Sequence, residues 1–120
     1  MSHRKAMTEQ LEDPDHPIIE RLNAYAVVGL YYHRTLDDSE EAYIDLTLQE
    51  GDVVRRLRFL SPQQISIGEG FPHGIGLYIA DVRARGLEGL NVHVDDYECS
   101  GGEIRFWARE VIDLDDTEKR

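Results

Sequence analysis

The chain has 120 residues, with 24 acidic residues against 13 basic ones and a formal net charge of -11 at pH 7. Domains cluster around about 100–150 residues, so this length indicates one domain and excludes two independent cores. The acidity does not favour nucleic acids or anionic membranes, which proteins bind mainly through Lys and Arg. It favours a basic partner, although surface charge also serves solubility alone.

Cysteine usage and the start of the chain bear on localisation. Cys99 is the only cysteine and cannot form an internal disulfide, and no Cys and His set has zinc-finger spacing. Residues 1–10 lack the apolar stretch of a secretory signal, and the longest apolar run, residues 24–32, is too short for a membrane helix. We therefore expect a cytoplasmic protein without a cofactor.

The two ends of the chain are polar. Residues 1–16 finish in an acidic run that prolines interrupt, and they predict a flexible N-terminal arm. Residues 113–120 predict a flexible acidic tail for the same reason. A single domain is therefore expected over residues 17–112.

A short helix is expected where the domain begins. Asp15 is a suitable N-cap, and Pro17 is well placed in the first helical turn. The apolar residues that follow would share one stripe of the helix, namely Ile18, Ile19 and Leu22.

From residue 24 onward the hydrophobic period changes towards two, which is typical of β-strands. Residues 42–49 alternate apolar and polar side chains and predict a half-buried strand. A turn at residues 49–52 leads into residues 53–60, which predicts a first hairpin.

Two further strands are expected in the middle of the chain. Pro62 keeps the short strand at residues 64–67 near a sheet edge, because proline cannot donate to a ladder. Residues 75–85 are apolar on both faces as far as Val82, which favours a central strand. The fold class is therefore mainly β: an antiparallel sheet of about six to seven strands, either a sandwich or strongly curved, with a short N-terminal helix.

The last two strands form the clearest hairpin, because Ser100-Gly101-Gly102 permits positive φ between two alternating segments. A three-residue loop would pair residue 97 with 105, 95 with 107 and 93 with 109. A register shifted by two residues keeps the same faces together and places Asp95 opposite Arg105. We favour the three-residue loop and leave the shifted register open.

One face of this hairpin is the main candidate for a partner-binding surface. Its members are His93, Asp95, Tyr97, Arg105, Trp107 and Arg109. A large aromatic side chain beside arginines is typical of interface hot spots. The alternative, slightly favoured because large aromatics are mostly buried, is that Trp107 lies under the N-terminal helix or a second sheet.

A second candidate for contact with a basic partner is an acidic loop. Its charged residues are Asp37, Asp38, Glu40 and Glu41. An acidic segment of this kind is most often a solvated loop that only connects two strands. Acidic side chains here would also accelerate the encounter with a cationic protein.

Motifs for metal binding and catalysis are not evident. Strand alternation sends His93 and Asp95 to one face but Asp96 and Glu98 to the other, which leaves a metal site short of ligands. The glycine-rich residues 68–76 lack the Lys and hydroxyl residue of a phosphate-binding loop. We therefore assign no metal site and no catalytic residue.

The C-terminal third carries a resemblance. The runs at residues 81–90, 92–98 and 103–107, with Leu87-Glu88-Gly89 ahead of the alternating strands, resemble small acidic bacterial β domains of unassigned function. Some similar proteins are immunity proteins of bacterial toxin systems. The resemblance implies a stand-alone interaction domain, and it brings no catalytic residue with it.

Three interpretations of function follow. The first is a non-catalytic protein-interaction domain, of the immunity type or otherwise, that binds a basic partner. The second is a domain that binds a small ligand or a sugar, or a minor enzyme, with a shallow pocket formed by Trp107, Tyr97, His93 and Asp95. The third is a homo-oligomer that associates through edge strands.

Overall fold

The computed structural model describes residues 14–20, 22–37, 41–68, 77–96 and 104–115. Eight β-strands in this part of the chain form two antiparallel four-stranded sheets, so the predicted mainly β, antiparallel class is confirmed. The strands are β1 (Ala26–His33), β2 (Tyr43–Glu50), β3 (Val53–Leu60), β4 (Gln63–Ile67), β5 (Leu77–Asp81), β6 (Val92–Asp96), β7 (Ile104–Ala108) and β8 (Glu110–Asp113). Sheet 1 has the order β1-β2-β3-β8, and sheet 2 has the order β4-β7-β6-β5.

The core lies between the inner faces of the two sheets. The alternation expected for β2 is present, because Ile44, Leu46 and Leu48 are fully buried. Phe59 of β3 meets Phe106 of β7 edge to face, with ring centroids 5.1 Å apart. This contact joins the two sheets, and edge-to-face geometry is the arrangement that aromatic quadrupoles prefer.

The chain passes from one sheet to the other at two corners. At the first, Ser61 between β3 and β4 has φ of 51° and donates its backbone N–H to the Ala42 carbonyl at 2.8 Å. At the second, Arg109 between β7 and β8 donates its backbone N–H to the Leu60 carbonyl at 2.8 Å. Such bends let strands change sheets while their inward and outward faces are kept.

The predicted helix near Pro17 is wrong. Residues 17–20 form a turn and a bend, and the helical segments within the described ranges are two 3-10 turns, Leu22–Ala24 and Arg83–Arg85. None of these helical segments is long and apolar enough to cross a membrane. A helix of one or two turns has little stability of its own. Pairing of the preceding residues with sheet 2 therefore determines the local conformation.

The segment at residues 14–16, at the end of the predicted arm, lies against β5. His16 donates its backbone N–H to Ile79, and Asp81 donates to Pro14, both at 2.8 Å. Asp15 forms an isolated bridge with Ala80.

A central strand was expected within residues 75–85. This prediction is wrong, because β5, the strand found there, is the edge of sheet 2. Its apolar character on both faces has another cause: Leu77 and Ile79 point into the core, and Ala80 is also buried.

The register of the last predicted hairpin and the total number of strands differ from expectation. His93 pairs with Trp107 and Val94 with Phe106, so the favoured pairing of 93 with 109 is wrong and the register shifted by two is confirmed. The connection at residues 97–103 lies outside the described residues. β8 exceeds the expected strand count, and it pairs with β3 up to Asp113. β4 is an edge strand, as its proline predicts.

Candidate functional site

The outer face of sheet 2 carries the cluster we call the Trp107 face. Its members are Tyr78, His93, Asp95, Arg105 and Trp107. In β7 the inward positions belong to Ile104, Phe106 and Ala108, all buried, so Arg105 and Trp107 must point away from the core. Of the predicted partner-binding residues, His93, Asp95, Arg105 and Trp107 are thus brought together.

Aromatic contacts organise this face. The imidazole of His93 stacks on the indole of Trp107, with centroids 4.1 Å apart and planes inclined by 22°. Tyr78 also contacts His93, edge to face, with ring centroids 6.4 Å apart. The Arg85 guanidinium lies 5.8 Å from the indole centroid. Trp107 is half-buried on the outer face, so the described part of the chain does not enclose it in a second layer, which was the slightly favoured alternative.

An ion pair lies next to the rings. Arg105 donates its Nε–H to both carboxylate oxygens of Asp95, each at 3.1 Å. The Asp95 side chain is only 13% exposed, whereas that of Arg105 is 54% exposed. His93 Nε2 lies 3.8 Å from the same carboxylate. Asp95 thus orients a cationic group that is open to solvent beside a large aromatic ring.

Arg109 and Glu41, both predicted for the partner-binding surface, lie elsewhere. Arg109 donates to the two Glu41 carboxylate oxygens at 2.6 and 2.8 Å, and the Ser61 hydroxyl also donates to Glu41. Hydrogen bonds from Arg109 and then from Ser61 lower the pKa of Glu41 to about 2. The contact connects both corners of the sandwich and is structural in its geometry.

The rest of the predicted set gives less information. Asp37 is exposed, and its backbone N–H binds the Thr35 hydroxyl at 3.0 Å. Asp38, Glu40 and Tyr97 lie outside the described residues.

Sequence reasoning missed a second aromatic group, the Tyr43 cluster, on the outer face of sheet 1. It consists of Tyr31, His33, Tyr43, Asp45 and Arg58. His33 stacks on Tyr43 with centroids 4.8 Å apart, and the Arg58 guanidinium lies 3.8 Å from the Tyr43 centroid. Arg58 also donates to Asp45 at 2.8 and 3.0 Å. Only the alternation in β2 signalled these outward positions, and their neighbours depended on strand register.

Most arginines in the described ranges bind carboxylates of the same chain. The pairs are Arg55–Asp113, Arg56–Asp115, Arg58–Asp45, Arg83–Glu110, Arg105–Asp95 and Arg109–Glu41. Internal pairing neutralises these cations locally. The surplus acids, such as the exposed Asp52 and Glu88, therefore set the charge that an approaching partner meets.

A cleft of about 470 Å³ opens between residues 17–20 and the end of sheet 1. Its lining residues are Pro17, Ile18, Ile19, Glu20, Tyr25, Glu50 and Arg55. Arg55 is ion-paired with Asp113. The lining combines apolar and charged groups, which suits a small polar ligand.

Across the described ranges, no three His, Cys, Asp or Glu residues come together as a metal site would require. Comparison with known protein families, with curated proteins and with solved structures finds no match.

Proposed function

We propose that this protein is a non-catalytic interaction domain that binds a basic protein partner through the Trp107 face. The single observation that carries the proposal is Trp107 itself, a half-buried aromatic on an outer sheet face beside the solvent-open Arg105. Trp, Tyr and Arg dominate interface hot spots, and the rigid ring of Trp buries a large area at low entropic cost. Partner capture by an inhibitor of the immunity type is one form that this function would take.

Charge supports the basic character of the partner. The formal net charge is -11, and the paired arginines leave the surplus with the acids. A cationic partner is attracted over long range, and salt weakens that attraction. The stacked His93 covers one side of the indole, which leaves less ring surface for a sugar than for the broad contact of a protein.

The test is a selection of displayed random peptides on the folded protein. We expect enriched peptides rich in Lys and Arg, with affinity that falls as salt is raised from about 50 to 500 mM. Trp107→Ala should abolish capture. Tyr43→Ala is the matched control, because it removes a half-buried aromatic from the outer face of the other sheet. Capture that favours acidic peptides, ignores salt or survives Trp107→Ala would overturn the proposal.

The cleft beside Tyr25 favours a second candidate function, the binding of a small polar ligand. Its volume lies within the range of about 300–1,000 Å³ that is usual for ligand pockets. A thermal-shift screen of sugars, amino acids and polyamines tests it. The expected result is a stabilising ligand whose effect disappears in Glu50→Gln, and an unchanged melting temperature across the panel would remove this candidate.

A further inference from the structure

The four sheet edges of the described sandwich differ in how they are protected. The edge of β5 is covered by residues 14–16 through two backbone hydrogen bonds. β4 follows Pro62, has an irregular register and contains Gln64 at φ of 56°. β8 has four residues, with acidic side chains at both ends. Coverage, bulges, short length and charge are the usual devices that prevent edge-to-edge pairing.

β1 lacks most of these devices. It is an edge strand of eight residues, AVVGLYYH, without Asp, Glu, Lys, Arg or Pro. One irregularity, between Val27 and Gly29, is followed by a regular segment up to His33. Val28, Tyr31 and Tyr32 are 52%, 55% and 44% exposed. A long, apolar edge of this kind is a template for pairing with another strand.

We propose that β1 pairs antiparallel with β1 of a second copy of this chain, which joins the two copies of sheet 1 into one continuous sheet. A contact of this type is isologous: two-fold symmetry makes every contact between a residue of one copy and a residue of the other occur twice. This interface lies on sheet 1 and does not include Trp107, so it is independent of the proposed partner surface.

The charges at the two ends of β1 select a second copy in this orientation. Exposed Arg34 directly follows the strand. At the opposite end, Ala26 pairs with Gln49, and Glu50 is the next residue of β2. Antiparallel pairing brings Arg34 of each copy towards Glu50 of the other. Within the adjoining surface, Asp45 and Arg58 neutralise each other, so the approach of another acidic molecule meets little local repulsion.

The area that this strand pairing would bury is small for a specific interface. A strand of eight residues spans about 26 Å, and its pairing buries on the order of 1,000 Å² in total. This is at the lower end of specific interfaces. We therefore expect a weak, reversible dimer that dissociates on dilution.

Sedimentation equilibrium between about 1 and 500 μM measures the dimer. Tyr31→Lys should raise the Kd at least about tenfold, because an edge lysine opposes strand pairing. Ile67→Lys is the matched control, since Ile67 is 47% exposed on the protected edge strand β4, and its Kd should equal that of the wild type. A wild-type protein that stays monomeric, or an equal effect of the two lysines, would overturn the proposal.

Charge reversal tests the orientation. Arg34→Glu and Glu50→Arg should each weaken the dimer, and the double variant should return to within about threefold of the wild-type Kd. A double variant as weak as the single ones would exclude the antiparallel arrangement. Amide exchange of the unmodified protein gives a readout without substitution, because the amides of β1 should exchange more slowly at high concentration.

The two proposals fail separately. Trp107→Ala should abolish capture of basic peptides while the dimer Kd stays unchanged. If Trp107→Ala dissociates the dimer, the assignment of the dimer contact to β1 is wrong.

Discussion

Arg109 and Glu41, 68 positions apart in sequence, form a two-point ion pair between the corner that joins β7 to β8 and the residue pair that precedes β2. Ser61, at the other corner, donates to the same carboxylate. One carboxylate thus connects the two places where the chain changes sheets. We therefore expect the ionisation of Glu41 to make the stability of the fold depend on pH.

The pKa of Glu41 is lowered from 4.5 to about 2 in the folded protein, first by the hydrogen bond from Arg109 and then by that from Ser61. A lowered folded-state pKa stabilises the fold above pH 4.5, and this contribution is lost as the pH falls towards 2. Because the Glu41 side chain is 32% exposed, solvent screening limits it to about 1 kcal/mol. Urea unfolding at pH 7, 4 and 2.5 should show that Glu41→Gln is less stable than the wild type at pH 7 and nearly equal to it at pH 2.5. Glu88→Gln, an exposed carboxyl elsewhere, is the control, and an undiminished difference at pH 2.5 would contradict the assignment.

The stacking of His93 on Trp107 predicts a spectroscopic signature. Trp107 is the only tryptophan, so the intrinsic emission reports this site alone. His93→Ala uncovers one side of the indole, and we expect a red shift of the emission together with a loss of about 1 kcal/mol of unfolding free energy. His33→Ala removes the corresponding stack on Tyr43 in sheet 1 and should leave the emission unchanged. An emission maximum that does not move in His93→Ala would show that the stack is not populated in solution.

The contact between Phe59 and Phe106 predicts the most damaging core substitution. Both rings are fully buried and lie between the sheets. Phe59→Ala leaves a cavity and removes the edge-to-face contact, which should cost about 3–5 kcal/mol of unfolding free energy in chemical denaturation. Ile112→Ala, at a side chain that is 42% exposed, should change it by no more than about 0.5 kcal/mol. Comparable losses in the two variants would contradict the placement of the core.

Residues 14–16 predict an effect of N-terminal truncation. Removal of residues 1–16 deletes both backbone hydrogen bonds to β5 and uncovers its edge. We expect a loss of about 1–3 kcal/mol of unfolding free energy and increased aggregation on heating. The shorter deletion of residues 1–13 retains Pro14, Asp15 and His16 and should resemble the full chain in both measurements. If the two deletions behave alike, the pairing with β5 has no energetic weight.

Local sequence patterns determined which side chains point towards the core. Ile44, Leu46 and Leu48 alternate with polar residues, and Gly51 at φ of 61° allows the tight turn to β3, so this hairpin could be predicted from neighbouring residues alone. Alternation in β6 and β7, the strands that carry most of the Trp107 face, likewise reduced their possible pairing to two registers. Alternation at period two identifies a face but does not identify the strand beside it.

Tertiary structure decided what each face and edge meets. The residues near Pro17 have a helix start signal, yet hydrogen bonds to Ile79 and Asp81, about 65 positions away, hold the preceding segment extended. The ion pair between Glu41 and Arg109 and the stacking of His33 on Tyr43 likewise depend on strands that are distant in the chain coming together. A single sequence specifies local conformational preferences and side-chain polarity. Register, edge position and site geometry arise only when segments distant in the chain compete for the same hydrogen bonds and the same core.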